Sequence, residues 1–301
     1  MSSMIRRIDQ AAEGRRVRRG ARSGAWRTAV GHAAAYVVLG ALALIFAFPL
    51  LWMISTAFKP TGEIFNPGIN LIPTHLTLDN YGFAFSALPL LRNLFNSVFV
   101  ATTTTALSLF VSSLAGFAFA KLEFPGKRGL FLLMIGTLMV PGLVGILPLF
   151  VIISQLGWVD TYQALIVPSI ASAFGIFFMR QYISSIPNEL LDAARIDGLR
   201  DYAFGLYWRI VVPLIRPALA TLSIMGFMGS WNNFMWPLMV LRSSAMYTIV
   251  VAVAALPSAQ FNTPYGPIMA GTTIAVVPLI VLFLVFQRQF VAGVMRTGLK
   301  G

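Results

Sequence analysis

Six long apolar stretches alternate with polar segments along this chain. They cover approximately residues 28–57, 93–120, 129–154, 163–179, 217–241 and 266–286. A helix needs about 20 mostly apolar residues to cross a bilayer, and only helices and closed barrels satisfy their backbone there. The pattern therefore predicts an all-α integral membrane protein with six transmembrane helices. Pro141 and Pro148 are expected to kink the third span, and the shorter apolar run 245–256 to be interfacial or re-entrant.

The main polar interruption, residues 184–216, lies between the fourth and fifth spans, and its residues 187–198 have the sequence PNELLDAARIDG. Pro187 suits the first position of a helix, and Gly198 suits the residue that ends one. Glu189 and Asp192 are three residues apart and therefore share a helical face. The segment predicts a short amphipathic helix suited to contact with another protein. A plain surface helix is the alternative on the pattern alone.

Composition supports a membrane protein. Hydrophobic residues make up 57% of the 301 residues and charged residues only 11%, whereas an ordinary soluble domain carries about 25% charged residues. The chain has no cysteine, which excludes disulfide and thiol chemistry. His32 and His75 are far apart in sequence and form no metal-binding cluster. We therefore expect no metal or other cofactor to be bound by this chain.

The net charge of +12 is distributed unevenly. With six spans and both termini in the cytoplasm, the outer loops carry three basic residues (Lys59, Arg92 and Arg242), and the cytoplasmic segments carry the other 19 of 22. Such a bias is the positive-inside signal. It predicts a basic cytoplasmic tail at residues 1–27, a cytoplasmic loop at 184–216 and a cytoplasmic tail at 287–301. It also accounts for the charge without nucleic-acid binding.

The predicted spans contain no Asp, Glu, Lys or Arg, which weakens an ion-coupled mechanism because coupling ions usually need polar sites at depth. The sequence also has no phosphate-binding loop, since Gly126-Lys127 is followed by Arg128. A transporter of this kind is not itself an enzyme and needs an ATPase partner. An ion-coupled secondary transporter and a membrane scaffold that transports nothing remain the alternatives.

The polar loop resembles a known motif. Asp192-Ala193-Ala194, followed by Gly198, is similar to the E-A-A-x-x-x-G loop of ABC importer permeases, with aspartate in place of the leading glutamate. Four further short motifs of that family occur along the chain, in the same order as in the family. They are Asp79-Asn80-Tyr81, Met139-Val140-Pro141, Trp231-Asn232-Asn233-Phe234 and Gly298-Leu299-Lys300-Gly301. From the first span onward the chain resembles the inner-membrane component of binding-protein-dependent transport systems, of the carbohydrate-uptake type and similar to the smaller permease subunit of maltose-type importers.

The resemblance implies a type I ABC importer permease fold in a bacterial or archaeal cytoplasmic membrane. It implies a heterodimer with a second, similar permease, two ATP-binding subunits that hold ATP and Mg, and an extracytoplasmic sugar-binding protein. The helix in the cytoplasmic loop would transmit ATP-driven closure to the pore. The coupling residues would be Glu189, Asp192, Ala193, Ala194, Asp197 and Gly198, with a possible ATPase contact at Gly298, Lys300 and Gly301.

Substrate contact is expected in the fifth span, at Trp231, Asn232 and Asn233. Amide side chains are costly in lipid and should face protein or a water-filled path. Helix packing, a gate without sugar contact, and a substrate site on the partner permease are the alternatives. The threonines at residues 102–105 are expected to bond carbonyls one turn back rather than to touch substrate. The resemblance implies a sugar as the solute, but the sequence leaves open which sugar is carried, or whether it is a sugar-like molecule such as a glycerol phosphate.

Overall fold

The structure, a computed structural model, describes residues 31–64, 70–196, 202–256 and 265–298. The regular elements in this part of the chain are helices. The predicted basic tail at residues 1–27 lies outside the described residues, as do Asp197, Gly198, Lys300 and Gly301. The chain divides into two compact units, Met1–Ser55 with Gly68–Ile72, and Thr56–Pro67 with Pro73–Gly301.

The first unit contains most of helix α1, Gly31–Ala57, which has a mean hydropathy of 2.6. Within its most apolar 18-residue window, 0% of the residues are buried inside the chain. A helix that is apolar all round and exposed in the isolated chain suits contact with lipid or with another membrane subunit. The hydroxyl of Ser55 donates to the carbonyl of Leu71 within the same unit.

The second unit is built around the 32-residue helix α4, which packs along α8 and α12. Its small residues allow close approach, as is common between membrane helices. A Cβ added at Gly116 would lie 2.6 Å from Cβ of Met179. The helices of this unit are α2 (Thr61–Ile64), α3 (Asp79–Ala87), α4 (Leu90–Lys121), α5 (Lys127–Thr137), α6 (Ile146–Gln155), α7 (Tyr162–Ile166), α8 (Ala173–Ser184), α9 (Asn188–Ile196), α10 (Tyr202–Leu206), α11 (Val212–Leu214), α12 (Arg216–Trp231), α13 (Met235–Val240), α14 (Ile249–Ala255) and α15 (Tyr265–Gly298).

Four helical stretches of the described chain are long and apolar enough to cross a membrane, and two more stretches are sharply bent. Counting each bent pair as one span brings the number to six by length and composition. The four stretches are Gly31–Ala57, Leu90–Lys121, Tyr162–Ser184 (which joins α7 and α8) and Tyr265–Gln287. The bent pairs are Lys127–Thr137 with Gly142–Gln155 (94°) and Phe204–Leu214 with Arg216–Trp231 (78°).

The third stretch breaks where the sequence predicts a kink. Pro141 lies between α5 and the 3₁₀ turn Gly142–Gly145 that leads into α6. Pro148 does not add a second break, because it is the third residue of α6. A proline in the first turn of a helix lacks only an N–H that has no intrahelical partner.

The fifth stretch differs from the predicted span at 217–241. Its helix α12 begins at Arg216 and ends at Trp231, and residues 204–214, expected on the cytoplasmic side, form the other arm of the bent pair. Pro237 lacks the N–H that would bond the carbonyl of Asn233, so the helical ladder cannot run straight through. The chain resumes as the short helix α13 after the break.

Candidate functional site

The amphipathic helix expected in the polar loop is α9, Asn188–Ile196. Leu191 is buried, with 4% of its surface exposed, whereas Glu189, Asp192 and Ala193 are exposed. Ile196 is 87% exposed at the end of the same helix. One side of α9 is therefore packed into the protein, and the other presents two acids and an isoleucine at the surface. Ala194 lies in this helix as well.

The buried side of α9 is attached to the helical bundle. Leu191 belongs to a hydrophobic cluster that also contains Met179 and Ile183 of α8 and Phe117 of α4. Tyr207, in the following segment, joins the same cluster, and its hydroxyl lies 2.6 Å from Oγ of Ser113 on α4. Displacement of α9 would therefore be transmitted directly to α4 and α8.

A lysine ties the start of α9 to the end of α4. Nζ of Lys121 donates to the carbonyl oxygen of Ile186 at 2.6 Å and to Oδ1 of Asn188 at 2.8 Å. Sequence reasoning missed this contact because Lys121 and Ile186 are 65 residues apart, and it also missed the exposure of Ile196. From the sequence alone, Lys121 at the end of an apolar span indicated only the membrane topology.

A cavity of about 240 Å³ opens between α4, α12 and the segments around them. Asn233 and Trp236 line it and also line a second cavity of about 280 Å³ beside α6. The indole Nε1 of Trp236 donates to the carbonyl of Ala164 at 2.8 Å, which fixes one wall. The described residues that line the first cavity are Val100, Thr104, Thr105, Ser108, Leu165, Ser169, Ser172, Gly226, Gly229, Ser230, Asn233, Trp236, Pro237 and Thr248.

The three residues predicted for the substrate path separate in the structure. Asn233 lines both cavities. Trp231 is 2% exposed in a hydrophobic cluster, stacked on Phe227 at a ring separation of 5.7 Å, and lines neither of these cavities. Asn232 is exposed and donates its amide to the carbonyl of Met228 at 2.9 Å. Consecutive residues do not share a face on a helix, and α12 ends at Trp231, so the three side chains have different surroundings.

The threonine run contributes more to the cavity than the sequence suggested. We expected its hydroxyls to bond carbonyls of the preceding turn, but Oγ1 of Thr104 and of Thr105 are buried without a hydrogen-bond partner among the described residues. Both residues line the first cavity, as does Thr248, whose hydroxyl is likewise buried and unpartnered in the described chain. Only the packing of α4 against α12 shows which threonines turn inward.

The segment before α14 is held by a polar network. Asn93 and Asn96 of α4 each donate to the carbonyl of Tyr247, at 3.0 Å in both cases. Asp160 has a left-handed backbone (φ 61°), and its carboxylate accepts from the backbone N–H groups of Arg242 and Ser243 at 2.9 and 3.1 Å. These bonds hold the segment that carries Thr248 against the bundle.

Comparison with known proteins identifies the family. Residues 108–296 match the family described as "Binding-protein-dependent transport system inner membrane component". The chain belongs to this family. It is therefore the membrane-embedded permease component of an ABC transport system, a class of system that also uses an ATPase and a solute-binding protein.

Individual relatives agree with this membership. The permease protein AraQ of the arabinooligosaccharides transport system of Halalkalibacterium halodurans is 42% identical over 263 residues, which cover 86% of this chain and 93% of AraQ. The lactose transport system permease protein LacG of Rhizobium radiobacter is 38% identical, covering 86% and 93% of the two chains. The sn-glycerol-3-phosphate transport system permease protein UgpE of Brucella abortus is 32% identical, covering 89% and 96%.

A solved structure shows the same fold. It is a chain of a bacterial ABC transporter involved in the import of the acidic polysaccharide alginate, which matches with a TM-score of 0.75 and 22% identity over 86% of this chain and 96% of that one. The expected type I importer permease fold is thus confirmed, as is the all-α membrane class.

Proposed function

We propose that this permease is one half of the translocation pore of an ATP-driven sugar importer in a bacterial or archaeal cytoplasmic membrane. The names of its relatives support a sugar, since AraQ and LacG belong to arabinooligosaccharide and lactose systems. UgpE belongs to a system for a charged sugar-like solute. The family membership establishes a permease component, and the solute class is our inference.

The proposed assembly contains a second, similar permease, two ATP-binding subunits and an extracytoplasmic binding protein. ATP and Mg would bind on the ATPase subunits, because this sequence has no phosphate-binding loop. Both termini would face the cytoplasm, in line with the excess of basic residues on the segments placed inside. This orientation puts α9 on the side where ATP is available.

Coupling to the ATPase would occur through α9 and the residues that follow it, 187–198. The observation that carries this proposal is the pairing of a buried Leu191 with an exposed face of Glu189, Asp192 and Ile196. Such a face would place an isoleucine in an apolar cleft and the two acids opposite basic groups. Breaking a charge pair buried in an interface costs about 3–5 kcal/mol. The Lys121 contact and the shared hydrophobic cluster would pass movement of α9 to α4 and α8.

The coupling proposal is tested with Glu189→Lys and Gly198→Asp, each in the complete transporter in membrane vesicles. Both variants are expected to insert normally and to lose ATP-driven sugar uptake, because α9 no longer seats on the ATPase. Glu123→Lys is the control, since Glu123 is also exposed and pairs only locally with Lys127 in the described structure. Normal uptake by both α9 variants at normal expression would contradict the proposal.

The same vesicles separate the proposed importer from its alternatives. Uptake that persists after ATP depletion while an ion gradient is held would indicate a secondary transporter. No flux of any sugar with all partner subunits present would indicate a scaffold. Deletion of residues 298–301 tests the proposed tail contact, with reduced ATPase stimulation as the expected result.

A further inference from the structure

The cavity beside α4 has the chemistry of a binding site. Of the 14 described residues that line it, eight bring a hydroxyl or an amide, and none of the 14 is charged. Neutral donors and acceptors match sugar hydroxyls, whereas the described lining has no basic side chain to offset the larger cost of burying a phosphate or carboxylate. The polar residues of the lining are Thr104, Thr105, Ser108, Ser169, Ser172, Ser230, Asn233 and Thr248.

Three of these residues have hydroxyls with unused hydrogen-bonding capacity. Thr104, Thr105 and Thr248 are 7%, 8% and 4% exposed, and their Oγ1 atoms have no partner within the described residues. Buried polar groups in native proteins are normally paired, so each such exception requires an explanation. Because each Oγ1 has almost no exposed surface, a ligand hydroxyl would pair with it only once the threonine side chain rotates toward the cavity.

The size of the cavity limits what it can hold. Its volume is about 240 Å³. This is less than the roughly 300–1,000 Å³ of pockets that enclose drug-sized ligands. Gly229 faces open space, and Gly226 brings α12 within van der Waals contact of Thr105, since a Cβ there would lie 3.4 Å from Cγ2 of that threonine. The space therefore suits one ring of a sugar.

We propose that this cavity is a hydroxyl-recognition site, carried by this chain itself, for one uncharged sugar ring of the transported solute. The inference rests on the proposed function and deepens it in two ways. It assigns a solute contact to this permease in addition to any on its partner. It also selects a neutral solute over a glycerol phosphate.

The absence of cysteine from the chain allows a direct test. Ser230→Cys places a reporter thiol in the cavity wall, and Ser223→Cys is the control on the same helix outside that lining. The transporter is purified with its partner subunits, and the labelling rate of this chain by methanethiosulfonate ethylammonium is followed by mass spectrometry. Arabinose, galactose, glucose and sn-glycerol 3-phosphate are then added separately at equal concentrations.

We expect at least one neutral sugar to slow labelling of the Ser230→Cys reporter and not of the control. Glycerol 3-phosphate should leave both rates unchanged. Protection by no neutral sugar would overturn the proposal, because a site for such a ring must exclude the reagent when filled. Protection by glycerol 3-phosphate equal to that by the best sugar would overturn the assignment of an uncharged ligand.

Isosteric variants in the reporter background show whether the hydroxyls recognise the ring. Thr104→Val or Thr105→Val should raise the sugar concentration for half-protection about 3- to 10-fold, as expected for one lost hydrogen bond. Thr102→Val, on the same helix with an exposed side chain, should leave it unchanged. Because the replaced hydroxyls are unpartnered, both cavity variants should fold as well as the parent. A purely structural threonine would give no shift in half-protection, and that result would refute the inference.

Failure of the proposed cavity site can be distinguished from failure of the proposed importer function. ATP-driven sugar uptake by the parent transporter with no protection of the reporter would leave the importer standing and remove the site. Failure of the parent to take up any sugar with all partners present would instead reject the importer.

Discussion

The contact between Lys121 and α9 offers the sharpest test of how the coupling segment is held. In Lys121→Met the aliphatic stem stays and the ammonium group is removed. The carbonyl of Ile186 then loses its donor at 2.6 Å, and Asn188 loses a donor at 2.8 Å. Ile186 is only 8% exposed, so water cannot fully replace the lost bond.

The expected loss follows from the two bonds. A hydrogen bond to a charged group contributes about 1.5–3 kcal/mol, and the exposed bond to Asn188 belongs below this range because water competes for it. We therefore expect the free energy needed to detach the start of α9 from the helical bundle to be about 2 kcal/mol lower in Lys121→Met than in the parent protein. This corresponds to about 30-fold faster hydrogen exchange of the α9 amides when exchange reports local opening.

Hydrogen exchange of the complete transporter in detergent, read by mass spectrometry over residues 188–196, measures this change. Lys127→Met is the matched control, since Nζ of Lys127 also donates to one carbonyl, that of Leu122 at 2.8 Å, and to one side chain, that of Glu123 at 2.9 Å. That lysine has no such bond to α9 in the described structure. If the α9 amides exchange at the same rate in Lys121→Met and Lys127→Met, the argument that Lys121 holds the helix is refuted.

Two further predictions concern stability. Gly116→Ala should lower the melting temperature and the free energy of unfolding, the latter by about 1–3 kcal/mol. The reason is that the new methyl group would lie 2.6 Å from Cβ of Met179 and 2.9 Å from the backbone nitrogen of Arg180. Gly129→Ala is the control and should not lower the melting temperature, because a methyl group there meets open space. For Asp160, burial raises the pKa, but the N–H groups of Arg242 and Ser243 outweigh it and hold the pKa below its ordinary value. The ionised carboxylate of Asp160 therefore stabilises the folded protein at pH values above the pKa of an aspartate in the unfolded chain, which is near 3.9. This stabilisation is lost as the pH falls through the lower pKa of Asp160 in the folded protein. The melting temperature of Asp160→Asn should therefore lie below that of the parent at pH 7, and the difference should shrink below about pH 4; a difference independent of pH would contradict this account.

The number of apolar stretches, the break at Pro141 and the amphipathic helix α9 could all be predicted from local properties of the sequence. Hydropathy over about 20 residues, the missing N–H of proline and the spacing of Glu189 and Asp192 act within one segment. The family resemblance is also local, because each motif is a short run of residues. These features needed no knowledge of which helices pack together.

Only the tertiary structure determines which polar side chains of the membrane helices face the interior of the protein. Trp231 and Asn233 do not share a helical face, and only the packing of the neighbouring helices places the first in a hydrophobic cluster and the second at the cavity. Thr102 and Thr105 belong to the same run, and only the latter meets Gly226 of α12. Apolar composition around the whole circumference of a membrane helix leaves its rotation unspecified, so close approach at small residues such as Gly226 determines which hydroxyls face inward.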